Sequence, residues 1–165
     1  MSTRKTAVAG AALAALAAAF ALPALGGAQT SGARDVTVRD KVRAVKFIHH
    51  ARSARGERLA MGDRVITRQA LFNESDHRIG TLFTDCSNVG RKAQVFNATL
   101  QCTSIYRLGG GQVVSQGVVR LGSGPASVRI AIVGGTGAYR SAGGEVGAGA
   151  PVRGYDTVDV LHLDG

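Results

Sequence analysis

The residue types able to do chemistry in this chain are few. Cys86 and Cys102 are its two cysteines. They read either as a disulfide or as half of a metal site completed by histidine. A zinc site of ordinary spacing needs a second Cys pair or a helical His pair, and neither is present. A bridge between them encloses about 15 residues and contributes roughly 3 kcal/mol in the loop-entropy account. No CxxC motif suggests redox catalysis. His49, His50, His77 and His162 show no metal-ligand spacing, and His49 and His50 would face opposite sides of a strand. No metal is expected. Gly134-Gly135-Thr136-Gly137 invites comparison with a phosphate loop, but no Lys-Ser/Thr follows it and no GxGxxG can be completed. It reads as a structural glycine turn followed by an aromatic, Tyr139, that packs back. Asp85, Gln101, Gln116 and Arg129 fall inside strand-like segments, where parity decides whether they face a ligand. Tyr106 and Tyr139 carry hydroxyls that can bond a ligand or serve packing alone.

Strands must position these groups. Two-residue alternation bounded by turn residues runs through Asp63–Glu74, Arg78–Asn88, Gln94–Leu108, Gln112–Leu121 and Ser127–Val133. Gly143–Ala150, Val152–Leu163 and an earlier Val36–His49 complete about eight strands. In Gln94–Leu108, Phe96, Ala98, Leu100, Cys102, Tyr106 and Leu108 share one face, and Gln101 lies on the other. If the apolar face packs outward against a partner chain, Gln101 points inward; if it lines the interior, Gln101 meets solvent. Short connections imply antiparallel neighbours. The expected fold is all-β, an eight-stranded antiparallel up-and-down barrel, with a two-sheet sandwich as the alternative. A barrel of eight strands is either filled by side chains or holds one small ligand.

Composition sets the frame. With 23 glycines in 165 residues and no Trp, a helical bundle is disfavoured, because Gly costs about 1 kcal/mol relative to Ala inside a helix. Residues 1–28 read as a secretory signal: Arg4 and Lys5, then an Ala-rich apolar run from Ala7 to Leu25, then Gly26-Gly27-Ala28. Cleavage would leave a basic segment with the first strand over 29–58 and the remainder of one barrel domain over 59–165. Between Arg34 and Arg68 lie ten basic and four acidic residues. Such a segment is a solvated surface or a grip on an anionic envelope polymer. It carries one aromatic, Phe47, too few stacking platforms for nucleic acid, which is not expected as a partner.

Ala131 to Arg140, with its GGTGAY core, resembles the GGTGxY/F motif of the allene oxide cyclase and dirigent superfamily. Gly62-Asp63, Leu71-Phe72 with Arg78 to Thr81, Cys102 to Gln112, and Ser141 to Val146 resemble other family stretches in the same order. The resemblance covers roughly Leu59 to Leu163. It implies an eight-stranded barrel around a hydrophobic cavity, cofactor-free chemistry, and homo-oligomers such as the trimers of plant members. Catalysis in such barrels confines and orients a reactive ligand. The resemblance also marks Asp63 as the catalytic candidate, since a partly desolvated Asp can act as general acid or base. Its alternative role is bonding backbone N–H groups at a strand start. Gly143 departs from the Arg common there. The reading is a secreted bacterial barrel that binds a hydrophobic small molecule and guides cyclisation or stereoselective coupling. The alternative is a non-catalytic binding barrel or an envelope-associated scaffold.

Overall fold

The structure is a computed structural model that describes residues 33–50, 58–122, 128–149, 151–152 and 154–164. The expected signal segment lies outside these residues. Among the described residues there are ten strands, the longer ones built on alternating apolar residues: β1 Arg34–Ile48, β2 Arg58–Leu59, β3 Arg64–Phe72, β4 Arg78–Asn88, β5 Ala93–Gln94, β6 Thr99–Leu108, β7 Gly111–Arg120, β8 Val128–Gly137, β9 Gly143–Ala148 and β10 Thr157–Asp164. Eight of them close an antiparallel barrel in the order β1-β10-β9-β8-β7-β6-β4-β3. Each hairpin places chain neighbours side by side, and β1 closes the ring between β10 and β3. The short β2 and β5 pair separately, carrying Leu59 over one barrel end. No strand of the ring is left with a free edge along its whole length, which is how closure answers the edge-pairing hazard.

Parity settles what lies inside. On β6, Leu100, Cys102, Ser104 and Tyr106 are buried, whereas Gln101 and Arg107 are exposed. The apolar face therefore lines the interior. Two core clusters form there. Val38, Leu71, Val113, Ile132, Leu161 and Leu163 belong to the first, which also includes Tyr106 and fills one part of the barrel. Leu59, Val65, Ala98, Leu100 and Val119 gather around the two cysteines in the second. Burying such side chains contributes about 1.5–3 kcal/mol each before ordering costs.

Two local expectations change. The strand expected from Gln94 to Leu108 is interrupted: Val95–Asn97 forms a 3₁₀ turn, closed by the Ala98 amide donating to the Val95 carbonyl at 3.1 Å. The turn sends Phe96 outward, 65% exposed, while Ala98 is fully buried. Gly134-Gly135-Thr136-Gly137 is the end of β8 rather than a turn, paired with β7 across a register shift between Val114 and Ser115. The turn itself follows at Ala138–Ser141. Gly137 ends the strand with φ +62°, and a Cβ there would collide with the Gly110 carbonyl oxygen, so the left-handed conformation and the close approach both require glycine.

Candidate functional site

The barrel interior opens into a cavity of about 560 Å³, within the range of small-molecule sites. Its walls are unequal. Val119, Val128, Ile130, Val146 and Ala148 from β7, β8 and β9, with Leu121 just after β7, give an apolar side. Asp40, Gln69, Thr84, Ser104, Tyr106, Thr157 and Asp159 give a polar side from β1, β3, β4, β6 and β10. The Cys86–Cys102 disulfide also lines it. These two residues are direct cross-strand partners on β4 and β6, with Cα atoms 4.0 Å apart. Gly117 lies opposite Cys102 on β7 and brings no side chain toward it.

Strand parity assembles the polar end. Asp40 follows Val36 and Val38 on the inner face of β1 and pairs in register with Thr157; Val38 pairs with Asp159. Two residues beyond Asp40 the chain bulges between Val42 and Ala44. There the Asp156 carboxylate accepts the Val42 amide at 2.6 Å, and the Asp156 amide donates to the Asp40 carbonyl at 3.0 Å. Tyr106 donates its hydroxyl to Asp159 Oδ2 at 2.8 Å. Thr157 Oγ1 sits between two carboxyls, bonded to Asp40 Oδ2 and 3.2 Å from Asp159 Oδ1. One hydroxyl carries one proton, so both contacts are hydrogen bonds only when a carboxyl holds a proton of its own.

Electrostatics agree. Burial, joined by the like charges of Asp159 and Asp156, raises the Asp40 carboxyl to about 6, against the lowering effect of its bonds from Thr157. Burial also raises Asp159, opposed by its bonds from Tyr106 and Thr157. Burial and the neighbouring carboxyls push the Tyr106 hydroxyl well above its usual 10, so it remains a neutral donor. An acid near neutrality beside a second raised acid, one of them held by the phenol of Tyr106, can exchange a proton with an oxygen or nitrogen placed there.

A family model described as an allene oxide cyclase barrel-like domain matches residues 43–154. The chain belongs to that family. A comparison with curated proteins gave no match. Among solved structures, a pyocyanin demethylase aligns at TM-score 0.63 and 21% identity, covering 79% of this chain and 99% of that one. A pterocarpan synthase dirigent protein aligns at 0.60 and 16%, covering 83% and 99%. The Diels-Alderase AbmU from Streptomyces koyangensis aligns at 0.59 and 16%, covering 81% and 70%. At these identities the likeness is one of fold.

Within this allene oxide cyclase-like barrel, the residues singled out from the sequence do not converge. Asp63 is fully buried but does not line the cavity. It closes the turn before β3, accepting the His50 amide at 2.8 Å, the Ala60 amide at 2.9 Å and a contact from His49 Nδ1 at 3.0 Å. Burial alone would raise it; the bonds from His49, His50 and Ala60 outweigh that and hold it at about 2. This is the strand-start role. Asp85 points outward to Arg64, with Nε–Oδ1 at 3.0 Å. Gln101 and Gln116 lie on the exposed face, Gln116 bonding Thr103 at 3.4 Å. Arg129 pairs with Glu145 on the outer surface. Tyr139 packs against the first core cluster under the Arg34 guanidinium, 5.2 Å from its ring centre. Asp40 and Asp159 were not singled out. Their signal was present: each is a carboxylate in phase with an apolar strand face, after Val36 and Val38 in one case and before Leu161 and Leu163 in the other.

Proposed function

We propose that this barrel binds a hydrophobic small molecule in its cavity and guides a cofactor-free cyclisation or coupling. One observation carries the reading: a largely apolar cavity with Asp40, Asp159 and Tyr106 together on its polar side. The apolar walls fold and orient the ligand, which is the larger part of such catalysis. Asp40 gives or takes a proton at this end, while Tyr106, whose hydroxyl donates to Asp159, holds that carboxyl in place. The structural likeness to a dirigent protein and a Diels-Alderase supports a fold suited to this work. We place the protein outside the cytoplasm, supported by the disulfide and by the signal-like first 28 residues.

The test is a conversion that conserves atoms: a cyclisation leaves mass unchanged, and an addition-type coupling gives the sum of its two reactants' masses. Apolar extracts of the producing culture are incubated with the protein and followed by chromatography and mass spectrometry. The reading expects a compound replaced by an isomer, and loss of that conversion with Asp40→Asn. Absence of any isomerised or coupled product overturns catalysis and leaves binding alone. A second reading, an envelope-associated scaffold, is favoured by the outer face of β1, where Lys41, Arg43 and Lys46 are exposed. It expects retention on anionic polymer that fades steeply with salt.

A further inference from the structure

Two acceptors at the polar end of the cavity have no partner. Among the described residues, Asp40 Oδ1 and Gln69 Oε1 are buried side-chain oxygens that make no hydrogen bond. Both residues border the cavity. They are also close in the sheet. Asp40 pairs with Leu71 and Val42 pairs with Gln69, so Gln69 stands one inward-facing position along from the Asp40 level. Asp40 is 1% exposed. A buried acceptor left unpaired is costly, and these two lie on the same side of the cavity.

Charge points the same way. Asp40 and Asp159 both border the cavity, and the one cationic side chain among the described lining residues is Arg120, which is exposed. The polar end is therefore rich in acceptors and negative charge. A carboxylate ligand placed there would meet the like charge of Asp40 and Asp159, whose neighbouring hydroxyls on Tyr106 and Thr157 already donate to them. An N–H group carrying positive charge supplies a hydrogen bond to each unpaired acceptor and a counter-charge in a poorly solvated place.

Resting on the cavity-binding reading above, we infer that the ligand is an organic cation: an apolar, ring-sized body bearing a protonated nitrogen with at least one N–H, seated between Asp40 and Gln69. The apolar walls from β7 to β9 take the body. Anionic analogues of the same shape are rejected. A neutral alcohol of the same shape binds more weakly, because it offers one hydrogen bond and no charge.

Three probes of one shape test this: 2-naphthylmethylamine, 2-naphthalenemethanol and 2-naphthoate, titrated at pH 7.5 by naphthalene fluorescence, with neutral N-phenyl-1-naphthylamine as a cavity reporter. The expected order is amine at least tenfold tighter than alcohol, with naphthoate weakest. Asp40→Asn should bring the amine to within about twofold of the alcohol. Because Asp40 also holds Thr157, Gln69→Leu is the second variant, and it should cost the amine several-fold more than the alcohol. Naphthoate binding as well as the amine, or an amine no better than the alcohol, overturns the inference while leaving a working cavity. An amine preference that survives both folded variants also overturns it. If none of the four compounds binds, the cavity-binding reading falls with it.

Discussion

Tyr106 and Asp159 lie on opposite strands of the barrel, four places apart in a ring of eight, and are joined by a 2.8 Å hydrogen bond across the interior. The bond bridges β6 and β10, which share no ladder. It marks the level at which the filled part of the barrel gives way to the cavity, because Tyr106 belongs to the first core cluster and also borders the open space. Tyr106→Phe keeps the ring and removes the donor. A loss of about 1–3 kcal/mol is expected, since the buried Asp159 carboxyl loses a partner. Urea denaturation of the two proteins measures it; an unchanged midpoint would show that the bond does not brace the barrel.

Asp40 makes the fold less stable as pH rises through weak acidity. Its carboxyl titrates at about 6 in the fold against 3.8 when free, so the folded state binds the extra proton between those values. Stability from this group is fully present below about pH 4 and is lost progressively up to about pH 6, by an amount on the order of 1–3 kcal/mol. Asp40→Asn should flatten that part of the stability curve. Thermal melts of both proteins from pH 4 to 7 provide the check, and parallel curves would remove Asp40 as the source.

Asp63 acts with the opposite sign. Its folded value is about 2 against 3.8, so the stability it contributes is present above about pH 4 and fades as pH falls toward 2. Asp63→Ala leaves the His50 and Ala60 amides without their acceptor. It should cost about 1–3 kcal/mol at neutral pH and abolish the acid limb, while leaving binding of a cavity probe unaltered in the folded fraction. Impaired probe binding at full folding would restore Asp63 to the site.

The Cys86–Cys102 bridge is both a staple and a stretch of cavity wall. Cys86→Ser with Cys102→Ser should lower stability by roughly 3 kcal/mol by the loop-entropy account. Denaturation with and without reductant reads the same difference on the unmutated protein. A reduced protein as stable as the oxidised one would mean that the ladder between β4 and β6 holds this register unaided.

Much of the barrel was legible because alternation along a strand is itself a record of two faces. Leu100, Cys102, Ser104 and Tyr106 on one side and Gln101, Thr103 and Arg107 on the other already describe β6. The interruption at Val95–Asn97 was not legible, since Phe96 keeps the apolar phase while the backbone leaves the sheet. Asp85, Gln101, Gln116 and Arg129 are polar residues in strands, and in an aqueous protein most such residues face water. The cavity acids were hidden by the reverse effect: Asp40 sits in a basic stretch and Asp159 near the chain end, and only the closure of β1 against β10 brings them together. Asp63 was recognisable by position, but its donors come from His50 and Ala60, and their approach depends on the path of the chain before β3.

The most direct measurement of the central claim is native mass spectrometry of the protein purified from its producing culture, compared with Ile130→Trp, which fills the apolar wall of the cavity. The account predicts one small apolar molecule per chain, retained by the unmutated protein and absent from the variant. A chain that carries no adduct and takes up none of the apolar compounds offered to it, or a variant that holds them equally well, would contradict it.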